Sequence, residues 1–384
     1  MRRYVFLLII LASIAGTVLC EAGPKKAAAE AKKRKEAELR QIVETSFPRW
    51  DRNHDGILSL EEINALIESP QVRGDEAAAV VILHQRFAPK GEESGFQGLS
   101  LIQLMAFADD REAVRSFSKQ CNRIQSINHA LFLAGDPNLQ TFHQGGVGDC
   151  YLLSVVGAFV ARDPQAMRNM IKLLPDGGYE IHFGSGKVVK VSPVTDAELV
   201  MGAKEGSDHG IWLSVLEKAY ASIREEKRET QSNKPIDDDD AVAKDLLGGG
   251  KASPVISLLT GHKAATTSIA RWAKEDSKQA VKQLDNLLGR LMRERKLAAI
   301  GTGKDSSKQL PKHIPHGHVF GVIGYDSTRQ IVRVFNPWGN DVTPEGTPGL
   351  VNGYFTRDGI FEMPVSDFVQ IFGRLAYETD ELAD

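Results

Sequence analysis

A lone cysteine at the start of an apolar helix is the first feature whose residue types could do chemistry. Residues 143–159 read HQGGVGDCYLLSVVGAF, so a glycine-rich turn and an acid precede Cys150 and an apolar run follows it. Backbone N–H groups and the helix dipole at such a position favour a thiolate, typically by ~0.3–1 kcal/mol. Because that effect is too small alone, a reactive thiolate needs an imidazolium partner. Gln144 is close enough in sequence to aim its amide at an oxyanion, with the Cys150 N–H as second donor.

The candidate partner is His318, one of ten histidines. Residues 317–326 (GHVFGVIGYD) predict a strand that His318 opens, and the next strand segment leads to Asn336. An asparagine carbonyl that accepts from one imidazole N–H fixes the tautomer and leaves the other nitrogen to face sulfur. Asp326 is a rival for this orienting role, but it ends a strand at a turn, and Trp338 could shield the imidazole–amide bond from water. The set predicts nucleophilic catalysis by a cysteine.

A second group of chemistry-bearing residues is the twelve-residue segment 51–62, DRNHDGILSLEE. Its spacing fits an EF-hand calcium loop, in which hard oxygen ligands surround the ion and a glycine makes the sharp turn. Gly56 occupies the glycine position. The sequence therefore predicts a Ca²⁺ site. Its predicted ligands are the side chains of Asp51, Asn53 and Asp55, the carbonyl of Ile57, Ser59 through water, and the bidentate carboxylate of Glu62.

EF-hands usually occur in pairs, and a partner loop can be aligned through a repeated LSL tripeptide. Residues 99–101 repeat residues 58–60, which places the second loop at residues 92–103. That loop closes on Gln103, which cannot supply a bidentate carboxylate. We therefore predict an EF-hand pair over residues 41–107 whose second loop is degenerate and binds no metal.

Composition sets wide limits on the rest of the chain. The 384 residues are 42% hydrophobic and 25% charged, which fits one large globular domain or two to three modest ones. The net charge of -3 points to no nucleic-acid partner. Once a leader is removed, only Cys121 and Cys150 remain, too few for a disulfide scaffold. Nothing in the sequence indicates the oligomeric state.

Residues 1–22 have the pattern of a secretory signal peptide. Two arginines precede an apolar run that reaches Leu19, and small residues follow. The run is slightly short for a membrane span, so processing near Ala22 is favoured over a membrane anchor. A lipid anchor on Cys20 is the other alternative, although Leu19 stands where such a cysteine normally has a small neighbour. The sequence predicts an exported protein, secreted or periplasmic.

The elements that would position these residues are helical first and mostly strands later. Residues 23–40 predict a charged helical linker whose basic cluster could touch anionic lipid heads, although a solvated tether is favoured. Residues 225–240 predict an exposed loop whose aspartates are solvated, and glycines 248–250 mark a seam between subdomains. The other predicted elements are a helical block over residues 111–133, a hairpin over 176–193, a helix from Ile211, a helix over 277–296, and strands in LAAIGTG, HVFGVIGYD, QIVRVFNPWG and GIFEMP.

Five motifs, which follow one another along the chain in family order, resemble those of calpains, the calcium-dependent papain-like cysteine proteases. The resemblance implies an α+β fold with a papain-like two-subdomain core. Residues 111–247 would form a helical subdomain that carries Cys150, and residues 248–378 an antiparallel β subdomain with His318 and Asn336. The similar motifs are Gln144-Gly145 with Gly148-Asp149-Cys150-Tyr151-Leu152-Leu153, Gly317-His318 with Val322 and Gly324, Asn336-Pro337-Trp338-Gly339, Trp212 with Leu216-Glu217-Lys218-Ala219-Tyr220, and Asp358-Gly359-Ile360-Phe361-Glu362-Met363 with Asp367-Phe368.

The same resemblance implies a function, a calcium-dependent cysteine endopeptidase acting on proteins and peptides. By it, Cys150 forms an acyl-enzyme, His318 is general base and acid, Asn336 orients the ring, and Gln144 is the oxyanion donor. In calpains calcium brings two half-sites together so that cysteine meets histidine. Calpains that carry EF-hands usually have a C-terminal array and are cytosolic, whereas here one complete loop is N-terminal and a leader precedes it, which suggests a bacterial relative.

Three other functions are compatible with parts of the sequence. A metal hydrolase could use the cluster His313, His316 and His318, but no carboxylate motif accompanies it. A catalytically silent scaffold could act as a calcium-binding module, although the four candidate catalytic residues are intact. A cysteine acyltransferase shares the thiolate chemistry and would be separated by amine incorporation instead of peptide cleavage.

Overall fold

The structure is a computed structural model. It describes residues 24–87, 96–133, 135–202, 204–205, 210–231, 249–304 and 307–383. The predicted signal peptide (1–22), the first part of the second loop (92–95) and the aspartate run (237–240) lie outside the described residues. Among those described, no helix is both long and apolar enough to cross a bilayer.

The order of elements follows the predicted change from helix to sheet. The helices are α1 (Pro24–Trp50), α2 (Leu60–Ile67), α3 (Gly74–Phe87), α4 (Leu101–Ala108), α5 (Arg111–Ser126), α6 (Cys150–Arg162), α7 (Pro164–Met170), α8 (Asp196–Met201), α9 (Trp212–Gln231), α10 (Ala252–Thr260), α11 (Ile269–Glu275), α12 (Ser277–Arg293) and α13 (Val365–Ile371). The strands are β1 (Ile57–Leu58), β2 (Leu99–Ser100), β3 (Phe142–His143), β4 (Ile171–Leu173), β5 (Tyr179–His182), β6 (Val188–Val191), β7 (Lys204–Glu205), β8 (His262–Ser268), β9 (Ala298–Gly301), β10 (Val319–Asp326), β11 (Ile331–Phe335), β12 (Thr356–Arg357), β13 (Ile360–Pro364) and β14 (Arg374–Leu382).

Helices α1 to α5 form an N-terminal unit around one apolar core, which includes Trp50, Leu58 and Leu104. The short strands β1 and β2 pair antiparallel, with Leu58 opposite Leu99. Ser59 and Ser100, the residues after those leucines, cap α2 and α4 in the same way, each with a reciprocal capping box. The two LSL repeats therefore occupy equivalent places. α1 runs unbroken through residue 40, where the predicted linker meets the predicted pair.

The apolar helix α6 lies at the centre of a second core. Its residues from Tyr151 to Val160 are all buried, which explains a sequence that is hydrophobic on every side. The hairpin β5–β6 and the helix α9 complete this core. Both elements were predicted from the sequence.

A seven-stranded antiparallel sheet forms the third part, in the order β12-β13-β11-β10-β9-β14-β8. Side chains of β10 alternate between its two faces, as a period-two strand requires. Phe320 and Val322 pack in a core with α12 and α13, whereas Val319 and Ile323 contact the core around α6. β10 is therefore the strand against which the Cys150 helix packs.

Predicted and observed boundaries differ most at two elements. The helical block over 111–133 ends at Ser126, because Asn128 accepts a hydrogen bond from the Ala130 N–H and so makes a local turn in place of a helical bond. The predicted loop over 225–240 begins later, since α9 continues to Gln231. Its Glu, Lys, Arg and Gln residues are good helix formers.

Candidate active site

Cys150 is the first residue of α6 and is partly exposed. The helix begins on the Asp149 carbonyl, which accepts the N–H groups of Leu152 and Leu153 at 2.8 and 3.1 Å. The Cys150 thiol receives a backbone hydrogen bond from Val319, the residue after His318. The two segments that carry the predicted nucleophile and base thus meet at this point.

Close contact between α6 and β10 brings these segments together. A Cβ atom on Gly321 would lie 2.6 Å from the Ser154 carbonyl oxygen, so the strand needs glycine there. The Ser154 hydroxyl, one helical turn after Cys150, donates to the Val319 carbonyl at 2.6 Å. The lack of a side chain at Gly321 lets α6 approach β10, and the Ser154 hydrogen bond then holds the start of the helix beside His318.

His318 is buried, with 3% of its surface exposed, and its ring is hydrogen-bonded to Asn336. The distance from Nε2 to Asn336 Oδ1 is 2.9 Å, and Oδ1 also accepts the Trp338 N–H at 3.1 Å. Because a carbonyl oxygen only accepts, Nε2 carries the proton, and Nδ1 of the neutral ring is left as the acceptor. The Trp338 ring lies over the imidazole with centroids 4.4 Å apart.

Burial decides the charge state of both groups in this arrangement. It lowers the pKa of His318 to about 4, against a smaller opposite effect of the Asn336 bond. It also raises the pKa of the Cys150 thiol, and the neighbouring Asp149 carboxylate adds to that, while backbone hydrogen bonds from Val319 and Tyr151 oppose it. Both shifts favour the neutral thiol and the neutral imidazole over the ion pair. The thiolate and imidazolium that the sequence suggested require a proton transfer between them.

Gln144 joins the cysteine segment to the asparagine segment. Its backbone N–H donates to the Pro337 carbonyl at 2.7 Å, and its Oε1 accepts the Trp338 indole N–H at 2.8 Å. Its Nε2 donates one hydrogen to the Val147 carbonyl at 2.5 Å. Since an amide nitrogen carries two hydrogens, Gln144 keeps one more for an oxyanion.

The structure brings Gln144, Cys150, His318 and Asn336 into one neighbourhood through these contacts. Asp326 lies elsewhere, because its carboxylate accepts the N–H groups of Thr328 and Arg329 in the turn after β10. It is the turn former that its position suggested.

The three histidines of the metal-hydrolase alternative differ in burial. His313 and His316 are exposed in the segment before β10, whereas His318 is buried. Among the described residues, no three His, Cys, Asp or Glu side chains are grouped as a ready metal site, and this holds for the predicted calcium loop at residues 51–62 as well as for the histidine cluster.

Comparison with known proteins identifies the family. Residues 104–347 match the calpain family of cysteine proteases, and this range includes Gln144, Cys150, His318 and Asn336. The chain belongs to the calpain family. The matched range excludes the last of the five motifs, the segment from residue 358 to 368.

Similar curated proteins include two calpain types. The calpain-2 catalytic subunit of Mus musculus is 24% identical over 284 residues, and that of Homo sapiens is 24% identical over 282 residues. Calpain-8 of Rattus norvegicus is 22% identical over 285 residues. Each alignment covers 64% of this chain and 36% of the relative, so the calpain-family chain spans about a third of each relative's length.

The predicted calcium loop of this calpain-family chain is a tight turn closed on its own carboxylates. The Asp51 carboxylate accepts the Gly56 N–H at 2.9 Å, and Gly56 has φ +82°, the left-handed conformation the motif assigns to glycine. Asp55 accepts the Ile57 N–H at 2.8 Å and an amide hydrogen of Asn53 at 2.9 Å. The first three acidic or amide ligands are therefore gathered in one turn.

The closing ligand, Glu62, is turned to backbone donors. Its carboxylate accepts the N–H of Arg52 at 2.7 Å and that of Ser59 at 2.9 Å. Burial opposes ionisation of Glu62, but these hydrogen bonds outweigh it and lower the pKa. Asp51 and Glu62 are both largely buried, so the loop keeps two carboxylates away from water. Calcium binding stays a prediction.

Two positioning residues were missed at the sequence level, Ser154 and Gly321. The signals were available: Ser154 follows Cys150 by four residues and so shares its helix face, and a glycine inside a strand often marks close approach of another backbone. Neither signal says which partner is approached, since that depends on the packing of α6 on β10.

Proposed function

We propose that this chain is a calpain-type cysteine endopeptidase with Cys150 as nucleophile and His318 as general base and acid. The observation that carries the proposal is the His318–Asn336 hydrogen bond, which leaves Nδ1 as the acceptor of a ring whose neighbour in sequence, Val319, bonds the Cys150 thiol through its backbone. Asn336 fixes the ring, and Gln144 supplies an amide N–H to the oxyanion. Membership of the calpain family supports the same chemistry.

In the acylation step, the Cys150 sulfur attacks the carbonyl carbon of the scissile peptide bond. The thiol proton moves to Nδ1 of His318, which is free to accept it because burial keeps the ring neutral above pH of about 4. The carbonyl oxygen becomes an oxyanion that the Gln144 amide and the Cys150 N–H can stabilise. The C–N bond then breaks, and the leaving amine takes the proton from His318, which leaves a thioester.

In the deacylation step, water attacks the thioester carbon. His318 accepts one water proton as the C–O bond forms, and the C–S bond breaks to release the carboxylic acid product. The proton returns to the Cys150 sulfur. The neutral pair is restored, and one water has been consumed for each peptide bond cleaved.

The direct test is incubation of the mature chain with an unfolded protein substrate. We expect new peptide N-termini from the wild type and none from Cys150→Ala, with His318→Ala nearly inactive and His316→Ala close to wild type. A primary amine added to the reaction separates the alternatives: its incorporation without cleavage would identify an acyltransferase. If the protein neither cleaves the substrate nor incorporates the amine under any condition, the catalytically silent scaffold is the better account.

We also propose that the loop at residues 51–62 binds one Ca²⁺ and that the peptidase depends on it. The chemistry of the donor set supports binding, because the ligands are all oxygens and two of the carboxylates are already buried. Asp51, Asn53, Asp55 and Glu62 would hold the ion by their side chains, together with the Ile57 carbonyl and, through water, Ser59. The pairing of β1 with β2 and the matching caps of α2 and α4 support an EF-hand pair.

Calorimetry on matched variants tests the calcium proposal. Glu62→Gln removes the closing carboxylate but keeps an oxygen that can cap α2, whereas Glu61→Gln makes the same charge change at an exposed neighbour. We expect one Ca²⁺ per wild-type chain, binding weakened at least about tenfold in Glu62→Gln, and little change in Glu61→Gln. Peptidase activity should follow the same order. Full activity in excess chelator would refute calcium dependence and leave the peptidase proposal standing.

We propose that the protein is exported and processed near Ala22, so that its substrates are proteins and peptides outside the cytoplasm. The basic residues after the leader could add weak contact with anionic lipid. Mass analysis of protein from the native host should give an N-terminus close to Gly23. An intact Met1 on a cytosolic protein would contradict export.

A further inference from the structure

A short helix of the catalytic region, α8, is built into the N-terminal unit. At its start, the Thr195 hydroxyl donates to the Ile67 carbonyl at 2.6 Å, and the Asp196 carboxylate accepts the Gly74 N–H at 2.7 Å. Ile67 is the last residue of α2 and Gly74 the first of α3. The start of α8 therefore contacts both the end of α2 and the start of α3.

The side of α8 is equally attached to that unit. Ala197 and Val200 are buried in the apolar core of the N-terminal helices, although they lie about 70 residues beyond the end of α5. Arg123 of α5 donates to the Val200 carbonyl at 2.6 Å and to the Leu199 carbonyl at 3.3 Å. α8 is therefore attached to the N-terminal unit by packing and hydrogen bonds, while its Leu199 packs in the core around α6.

The other end of α8 supports the glycine turn that precedes Cys150. The Met201 carbonyl accepts the Gly146 N–H at 3.2 Å. Gly145 lies so close to the Gly202 carbonyl that a Cβ atom there would overlap it. The strand β7 just beyond pairs with β3, the two residues before Gln144. The segment with the proposed oxyanion amide thus rests on the end of α8.

We infer that α8 is a coupling element, and Thr195 a positioning residue, through which the N-terminal unit holds the segment 143–149 in its catalytic geometry. The connection runs from α2 through Thr195, along α8, and from Met201 to Gly146. This inference rests on the proposed peptidase function, because the segment matters through Gln144 and Cys150. α2 begins within the predicted calcium loop. A structural change at that loop can therefore reach the active site through α2 and α8.

Thr195→Val tests the coupling, because valine keeps the shape of threonine and removes its hydroxyl. The same change removes the N-cap of α8, so Ser268→Ala is the matched control: it removes the N-cap of α11, which lies in the sheet region. Thr195→Ser keeps a hydroxyl and should therefore keep both the hydrogen bond to the Ile67 carbonyl and the N-cap bond from the Glu198 N–H. Asp196→Ala, which removes the acceptor of the Gly74 N–H, gives a second break at the same contact if Thr195→Val does not fold.

Hydrogen exchange of residues 142–149 and peptidase kinetics are the two readouts. We expect Thr195→Val and Asp196→Ala to speed exchange in this segment about tenfold, and to lower kcat about tenfold with little change in KM, since one hydrogen bond is lost and the oxyanion contact is made in the transition state. Ser268→Ala and Thr195→Ser should match the wild type in both readouts.

Two results would overturn the inference. One is unchanged exchange of residues 142–149 in both Thr195→Val and Asp196→Ala, and the other is an equal effect of Ser268→Ala. Failure of the proposed function would look different, because the wild type itself would then lack activity. Exchange of the segment would still decide whether α8 is coupled to it.

Discussion

The buried, neutral state of His318 should make the protein sensitive to acid in a way that one substitution removes. The folded protein resists protonation of this ring because burial lowers its pKa to about 4 from an ordinary value of 6.5. The unfolded chain takes up the proton near the ordinary value. His318→Gln keeps a side chain that can donate to Asn336 and abolishes the titration.

The size of the effect follows from those two pKa values. As pH falls below 6.5, the unfolded state binds a proton that the folded state does not, so the free energy of unfolding decreases until the folded pKa is reached. Between pH 7 and pH 4 this linkage removes about 3 kcal/mol from the stability of the wild type. The carboxylates titrate in both proteins, so they cancel in the difference between wild type and His318→Gln.

Denaturant unfolding followed by tryptophan fluorescence measures that difference. Both proteins would be unfolded in chelator, at intervals between pH 7 and pH 4, and the two free energies subtracted at each pH. We expect the difference to change by about 3 kcal/mol over this range, with the wild type losing more. Parallel curves would show that His318 has an ordinary pKa. A change of the opposite sign would show that His318 is an imidazolium paired with a thiolate in the resting protein.

Two further predictions concern the contact between α6 and β10, and a third concerns the reactivity of Cys150. Gly321→Ala should lower kcat/KM by about a hundredfold, because the added Cβ would push the start of α6 away from β10. Gly373→Ala is the control and should retain activity, since no atom would lie nearer than 3.8 Å to its Cβ. Equal losses in the two variants would contradict this prediction. Ser154→Ala should cost about 1 kcal/mol of stability in a denaturant titration, and no change would show that its bond to β10 contributes nothing. A limiting alkylating agent should label Cys150 before Cys121, whose pKa burial raises to about 12. The alkylation rate of Cys150 should still be rising above pH 9, because burial raises the pKa of this thiol as well. An alkylation rate that is constant from pH 5 to pH 8 would instead indicate a resting thiolate.

The candidate site was the more predictable part of this molecule because each of its residues carries a local signal. A cysteine after a glycine turn, a histidine that opens an apolar strand and an asparagine before Pro-Trp-Gly can each be read in a short window. The order of the sheet could not be read in that way, since β10 pairs with β9 and β11 but β9 pairs with β14, about 75 residues later. Such pairing depends on the whole chain.

The two longest of the strands that the sequence did not predict, β8 and β14, were missed for a related reason. β8, with the sequence HKAATTS, is a half-exposed edge strand whose small and polar residues give no clear alternation of large apolar side chains. β14 contains the charged residues Arg374, Glu378, Asp380 and Glu381 and is buried only in its first half. The role of α8 was equally hidden, because its apolar residues fit a core without showing that the core belongs to the N-terminal unit.

The most direct test of the central claim is to trap the acyl-enzyme. Wild type would be mixed with a peptide ester, quenched in acid within milliseconds to seconds, and digested to locate any added mass. We predict one acyl group per chain, on Cys150, that forms before product accumulates and is absent from Cys150→Ala. Hydrolysis of the ester with no adduct on Cys150, or with the adduct on Cys121, would contradict the account.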